Sequence, residues 1–255
     1  MPFITAGDPN LAVTVRLVEE LAAAGADLIE IGFPYSDPIA DGRVIQASYT
    51  RALTGGLQIP AIFDSIGAVS RKVKTPLVAM VSYTIIFRIG TEQFVKRAAE
   101  AGFAGLIVPD LPGDEADELH TIVNKHGLDM IQLIAPTTPA DRSARILKNA
   151  SGFVYCIAVS GTTGAREALA PQLASMLSTL RSQTSLPLAV GFGLSRPEQV
   201  AQLRGLADGA IVGSAIVRHM EGATSEPGNL DAVVGRLVEY AKSIASAAHA
   251  TDLTV

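Results

Sequence analysis

The 255-residue chain contains no tryptophan and a single cysteine, Cys156, and only 18% of its residues are charged. One thiol cannot build an internal disulfide framework or a cysteine-rich metal centre, so Cys156 reads as a small buried hydrophobe inside a strand. The charged fraction is below the roughly 25% usual for soluble domains, and 48% apolar residues mark a core-rich chain rather than a disordered one. Positive charge is also scarce, with 20 Lys and Arg against 25 Asp and Glu and a net charge of −5. Nucleic acid and anionic membranes reward clustered cations, so neither is an expected partner. Apolar runs such as 76–81 and 210–212 fall far short of the roughly 18 residues that span a bilayer. The opening Met-Pro-Phe-Ile-Thr has no basic region followed by a long apolar stretch, which predicts a cytoplasmic protein without a signal peptide. A Gly-x-Gly-x-x-Gly turn is missing after the first apolar run, where Gly7-Asp8-Pro9-Asn10 stands instead. That argues against a doubly wound dinucleotide-binding sheet. No Pro- or Ser-rich linker divides the chain, so one domain over residues 1–255 is expected.

What the chain does have is eight short apolar or β-branched runs, each followed by a turn and a stretch of helical periodicity. They are Phe3 to Thr5, Asp27 to Gly32, Leu77 to Val81, Gly105 to Pro109, Asp129 to Ile134, Phe153 to Val159, Leu188 to Gly191 and Gly209 to Val212. One interval, between the second and third runs, is long enough for two helices. Three helix-to-strand junctions resemble one another around Gly25, Gly102 and Gly209, where glycine suits a left-handed helix cap. Alternating strands and helices with nearly continuous apolar strands predict a parallel sheet covered on its outside, and eight units predict a (β/α)8 TIM barrel.

The reaction side of such a barrel is the C-terminal end of its strands. Period-2 alternation in Asp27-Leu28-Ile29-Glu30-Ile31-Gly32 sends Ile29 and Ile31 toward the helices and Glu30 into the barrel. No strand offers an inward Lys or Arg to pair with Glu30, and burial would raise its pKa into the range useful for proton transfer. Asp41 lies 11 residues further on, far enough to fold back over the barrel mouth, although an N-cap role for the helix starting near Val44 is an equal reading. Asp37, before Pro38, fits a turn better. Three glycine turns end the later units: Ser160 to Gly164, Gly191-Phe192-Gly193 and Gly213-Ser214-Ala215. Backbone amides there, with Ser214 opening a helix, form a phosphate cradle of the kind found after strands seven and eight of these barrels.

The stretch Glu30-Ile31-Gly32-Phe33-Pro34-Tyr35-Ser36-Asp37-Pro38-Ile39-Ala40-Asp41-Gly42 closely resembles the tryptophan synthase alpha family. The likeness also takes in residues 2–9, Pro109 to Pro112, Ser160 to Arg166, and both later glycine turns, in order along the whole chain. It implies retro-aldol cleavage of indole-3-glycerol phosphate to indole and glyceraldehyde 3-phosphate, a carbon–carbon lyase step in tryptophan biosynthesis. Glu30 and Asp41 match the family's two catalytic carboxylates. Phosphate binding falls to Gly164, Gly193, Gly213 and Ser214, and the indole slot to Phe3, Val81, Ile107, Tyr155 and Phe192. Thr163 would bond Asp41 when its loop closes. No metal and no organic cofactor is required. The implied partner is a pyridoxal-phosphate beta subunit in an alpha2beta2 heterotetramer, facing Pro34, Asp37, Asp110 and Pro112. A stand-alone lyase and a weakly catalytic regulator of the beta enzyme are the alternatives.

The chain departs from the family pattern in three places. The usual helix before the first strand is missing, which predicts an exposed barrel bottom with lower stability, or a start upstream of Met1. After Tyr83 the chain reads Thr84-Ile85-Ile86-Phe87-Arg88 where many members carry an Asn-containing partner-contact loop. Arg43 stands where proline is frequent, beside Asp41.

Overall fold

The computed structural model describes residues 1–39, 41–158, 171–191, 193–225 and 228–250. Eight parallel strands follow one another around a sheet in sequence order: β1 (Phe3–Thr5), β2 (Ile29–Gly32), β3 (Leu77–Met80), β4 (Gly105–Ile107), β5 (Asp129–Ile134), β6 (Val154–Ile157), β7 (Leu188–Gly191) and β8 (Gly209–Ala210). A parallel bridge between Pro2 and Val212 joins the last strand to the first, with the Phe3 amide donating to the Val212 carbonyl at 3.0 Å. The ring is thereby closed and a (β/α)8 barrel results.

Helices cover the outside: α1 (Leu11–Ala23), α2 (Arg43–Thr54), α3 (Ile59–Val69), α4 (Tyr83–Ile89), α5 (Thr91–Glu100), α6 (Asp117–Lys125), α7 (Ala140–Leu147), α8 (Pro171–Gln183), α9 (Pro197–Ala201), α10 (Ser214–Ser225) and α11 (Leu230–His249). The long interval between β2 and β3 holds two helices, as its length predicts. Asn10 begins α1 by accepting from the Val13 amide at 3.0 Å. The helix then buries Val13, Leu17, Val18 and Leu21, a stripe at three- and four-residue spacing.

Two apolar layers result from strand alternation. Ile29, Ile31, Leu77, Ala79, Leu106, Val154 and Val190 point outward into the layer shared with the helices. Val78, Ile107, Ile131, Phe153, Tyr155, Ala189 and Ile211 point inward and fill the barrel. Cys156 is fully buried on β6, as expected of a structural thiol, and burial pushes its pKa up to about 12.

Several runs are shorter as strands than as apolar sequence. The eighth is reduced to Gly209–Ala210, although the Ile211 amide still donates to the Val190 carbonyl at 2.8 Å, and the end of the sixth, at Val159, lies outside the described residues. Gly25 and Gly102 take the left-handed conformation, with φ of 94° and 81°. Gly209 does not. It lies in β8, and the left-handed residue of that junction is Gly205, four positions earlier, with φ of 74°.

Candidate active site

A cavity of about 430 Å³ opens at the C-terminal ends of the strands. Every strand except β1 reaches it at or just beyond its C-terminal end, and β1 contributes Phe3. Its acidic residues are Glu30, Asp41 and Asp110; its aromatic residues are Phe3, Tyr35, Tyr49 and Tyr155. A second cavity, of about 150 Å³, lies at the opposite end of the barrel among Met1, Ala26, Ala210 and Ala245. Its two acids are engaged, Asp27 with His249 at 2.8 Å and Asp208 with Arg181 at 2.5 Å, so it presents apolar walls and no free reactive group.

Glu30 is wholly buried, and neither carboxylate oxygen has a hydrogen-bond partner among the described residues. Burial without a partner penalises the charged form, and the carboxyl pKa is pushed up to about 8. Two glycines make room for the side chains around it. A Cβ on Gly32 would stand 2.3 Å from the Phe3 ring, and one on Gly191 would stand 2.3 Å from the Tyr155 hydroxyl oxygen. Only hydrogen at these positions lets Phe3 and Tyr155 lie flat against the strand ends. Tyr155 and Tyr49 are both buried and have pKa values well above 10, first from burial and then from nearby acids that include Glu30 and Asp41. Both therefore remain neutral hydroxyls that can donate into the cavity.

Asp41 is not an N-cap. The cap of α2 is Gly42, with no side-chain cap bond, which leaves the Asp41 carboxylate to the cavity. Its backbone is fixed from behind: Gln46 Nε2 donates to the carbonyls of Asp41 at 2.8 Å and Pro38 at 3.0 Å. Partial burial, and then the charge of Asp110, raise the Asp41 pKa to about 6. Asp110 is itself held at the mouth, accepting from Ser82 Oγ at 2.6 Å and from the Tyr83 amide at 2.8 Å. Two carboxyls in one cavity are thus shifted by different amounts, so that near neutral pH Glu30 is mostly protonated and Asp41 mostly ionised.

Phe3, Val81, Tyr155, Gly193, Gly213 and Ser214 all line the cavity. Ile107 does not; it packs in the inward layer with Val78, Ile131 and Ala189. Gly164, Thr163 and Phe192 lie outside the described residues. The Gly193 turn is braced by Tyr240, whose hydroxyl donates to the Ser195 carbonyl at 3.0 Å, and by Gln199 Oε1, which accepts from the Ser195 and Arg196 amides. Asp37, Asp110 and Pro112 are exposed, whereas Pro34, also expected to face the partner, is buried. Arg43 is exposed and does not line the cavity. Among the described residues, no group of three or more His, Cys, Asp or Glu side chains is placed to hold a metal ion.

A family model described as tryptophan synthase alpha chain matches residues 1–249. The chain belongs to the tryptophan synthase alpha chain family. Relatives of that name share 50% identity over 89% of this chain and 82% of their own length in Rhodopirellula baltica, and 44% over 97% and 88% in Gloeobacter violaceus. Among solved structures, the alpha subunit from Legionella pneumophila superposes with a TM-score of 0.87 at 34% identity, covering 97% of this chain and 91% of that one. A Pyrococcus furiosus structure of the tryptophan synthase a2b2 complex gives 0.87 at 35%, covering 95% and 96%. Membership makes the protein a lyase with the alpha-subunit role in tryptophan biosynthesis, and a beta subunit is its family partner.

Sequence reasoning missed Tyr49, Ser82 and Arg218 as cavity residues. Tyr49 was legible as part of the Ile45, Ser48, Tyr49, Ala52 stripe that α2 buries. Arg218 stands four residues after Ser214, on the same face of α10. Ser82 was legible as a serine that follows the third apolar run and caps α4, accepting from the Thr84 amide at 3.2 Å.

Proposed function

We propose that the cavity cleaves indole-3-glycerol phosphate into indole and glyceraldehyde 3-phosphate, with Glu30 and Asp41 as its two catalytic carboxylates. The observation that carries this reading is the fully buried, unpartnered Glu30 carboxyl, held mostly protonated at neutral pH beside an ionised Asp41. Indole is a poor leaving group until its C3 accepts a proton. Glu30 supplies that proton and leaves an iminium-like ring. The electron pair of the bond between C3 and the glycerol carbon then flows into the ring, while the adjacent hydroxyl loses its proton and becomes the aldehyde. The carboxylate left on Glu30 takes up that proton, so the enzyme returns to its starting state. Asp41 accepts the indole N–H and stabilises the positive charge that develops on the ring. The apolar and aromatic wall of Phe3, Val81 and Tyr155 receives the indole, and the turns at Gly193 and Gly213 with Ser214 receive the phosphate on backbone amides.

The same face supports docking of the beta subunit in an alpha2beta2 assembly. Ile39, 93% exposed, and Phe87, 72% exposed, are carried by the segments that leave β2 and β3 beside the cavity mouth. Such side chains are costly to leave in water and fit a covered surface. Asp37 and Pro112 lie on neighbouring exposed loops. A cytoplasmic setting belongs to the same proposal; no single helix among the described residues is long and apolar enough to cross a membrane. The test is release of indole from indole-3-glycerol phosphate by wild type, Glu30→Gln and Asp41→Asn, each with and without beta subunit. Loss of turnover in both variants, with stimulation of wild type by the partner, is expected. Full turnover in Glu30→Gln would sink the mechanism.

A further inference from the structure

Arg218 is the only cationic side chain among the described residues that line the cavity, which also holds Glu30, Asp41 and Asp110. Two relationships locate its guanidinium. It lies one helical turn beyond Ser214 on α10, and the two share a helix face. It also lies close enough to Tyr240 for its charge to oppose the rise that burial gives that phenol, and the Tyr240 hydroxyl is bonded to the Ser195 carbonyl. Arg218 therefore lies on the side of the cavity where Gly213 and Ser214 also lie, and the Gly193–Ser195 turn lines the same cavity. No salt bridge among the described residues engages it.

A phosphate ester carries up to two negative charges, and the other charged side chains that line this cavity are acids. Backbone amides alone give such an anion partial charges only. A guanidinium offers a full charge and a planar fork of donors that matches phosphate oxygens. We propose that Arg218 is a binding residue for the phosphate end of the substrate, closing the cradle begun by the Gly193 and Gly213 turns. It also sets the substrate's direction, phosphate toward α10 and leaving group toward Glu30. This deepens the function proposed above and rests on it. Because Arg218 is exposed at the mouth, it acts on capture and affinity rather than on the chemical step.

The test compares wild type, Arg218→Gln and Arg218→Lys by calorimetric titration with glycerol phosphate and with indole, and by steady-state indole release. Arg218→Gln should weaken glycerol phosphate binding and raise KM by about tenfold, the scale of one charge-assisted hydrogen bond. kcat should change far less, and indole affinity should hold. Arg218→Lys should recover most of the loss, and the salt dependence of kcat/KM should flatten in Arg218→Gln. Wild-type glycerol phosphate affinity in Arg218→Gln would overturn the assignment, as would an equal loss of indole affinity. If wild type itself binds no glycerol phosphate, the parent reading fails as well. If wild type binds it and Arg218→Gln binds it equally, only the role of Arg218 fails.

Discussion

Asp8 and Glu30 are both buried acids, 3% and 0% exposed, carried by the first two strand units of one barrel. Asp8 lies in the turn after β1 and accepts from Arg51 twice, Nε at 2.9 Å and the terminal nitrogen at 2.6 Å. Glu30 accepts from no described residue. In the first region a fixed cation compensates the desolvation of the carboxylate, and the pair ties the β1 turn to α2. In the second region no hydrogen-bonded cation answers the burial, and the charge of the amino terminus offsets it only in part, so the proton takes the place of the cation. A proton can leave and return, whereas Arg51 cannot, and this difference separates a structural acid from one available for catalysis.

Breaking the second region should have the larger effect. Glu30→Gln keeps shape and removes the mobile proton, and kcat should fall by about 100-fold or more; single-turnover indole release reads it. Breaking the first region should act on stability instead. Arg51→Met leaves Asp8 buried and unpaired and should lower unfolding free energy by about 3 kcal/mol, with Asp8→Asn added to Arg51→Met recovering part of it. Denaturant titration measures both.

The contrast sharpens with pH. Between 4.5, the ordinary value, and about 8, the folded protein holds a proton on Glu30 that the unfolded chain has released. The stabilising contribution of this group is therefore complete below pH 4.5 and is lost as pH rises toward 8. Glu30→Gln lacks this slope, so its melting temperature should gain on wild type steadily from pH 5 to pH 8. In the pH profile of kcat/KM, Asp41 must be ionised and Glu30 protonated, which gives a bell with limbs near 6 and 8. The smallest effect should come from Asp110→Asn. Removing the charge that helps raise Asp41 moves the acidic limb downward and leaves the basic limb in place.

The two regions also differ in how legible they are. Glu30 can be found because alternation in a six-residue run fixes its direction and because no strand offers an inward cation. The Asp8–Arg51 pair spans 43 residues with nothing periodic to join them, and only the folded barrel brings them together. The same holds for Asp110, which the resemblance assigns to the partner-facing side and which also lines the cavity, bonded to Ser82 and the Tyr83 amide. Ile107 shows the converse. A strand residue of the right chemistry is expected in the indole slot, yet of the inward layer Tyr155 and Ile211 line the cavity and Ile107 does not. Eight strands are written in apolar periodicity, but which inward side chains border the cavity depends on how neighbouring side chains pack, which periodicity does not encode.

The tyrosines that border the cavity also have an optical consequence. Three of the chain's five, Tyr35, Tyr49 and Tyr155, line it, and the protein has no indole ring of its own. Light absorbed by these phenols can pass by resonance transfer to an indole lying against them, and no tryptophan emission overlays the signal. Arrival and departure of the aromatic group in the barrel can therefore be followed in real time, without a label, as a change in the colour of the protein's own fluorescence.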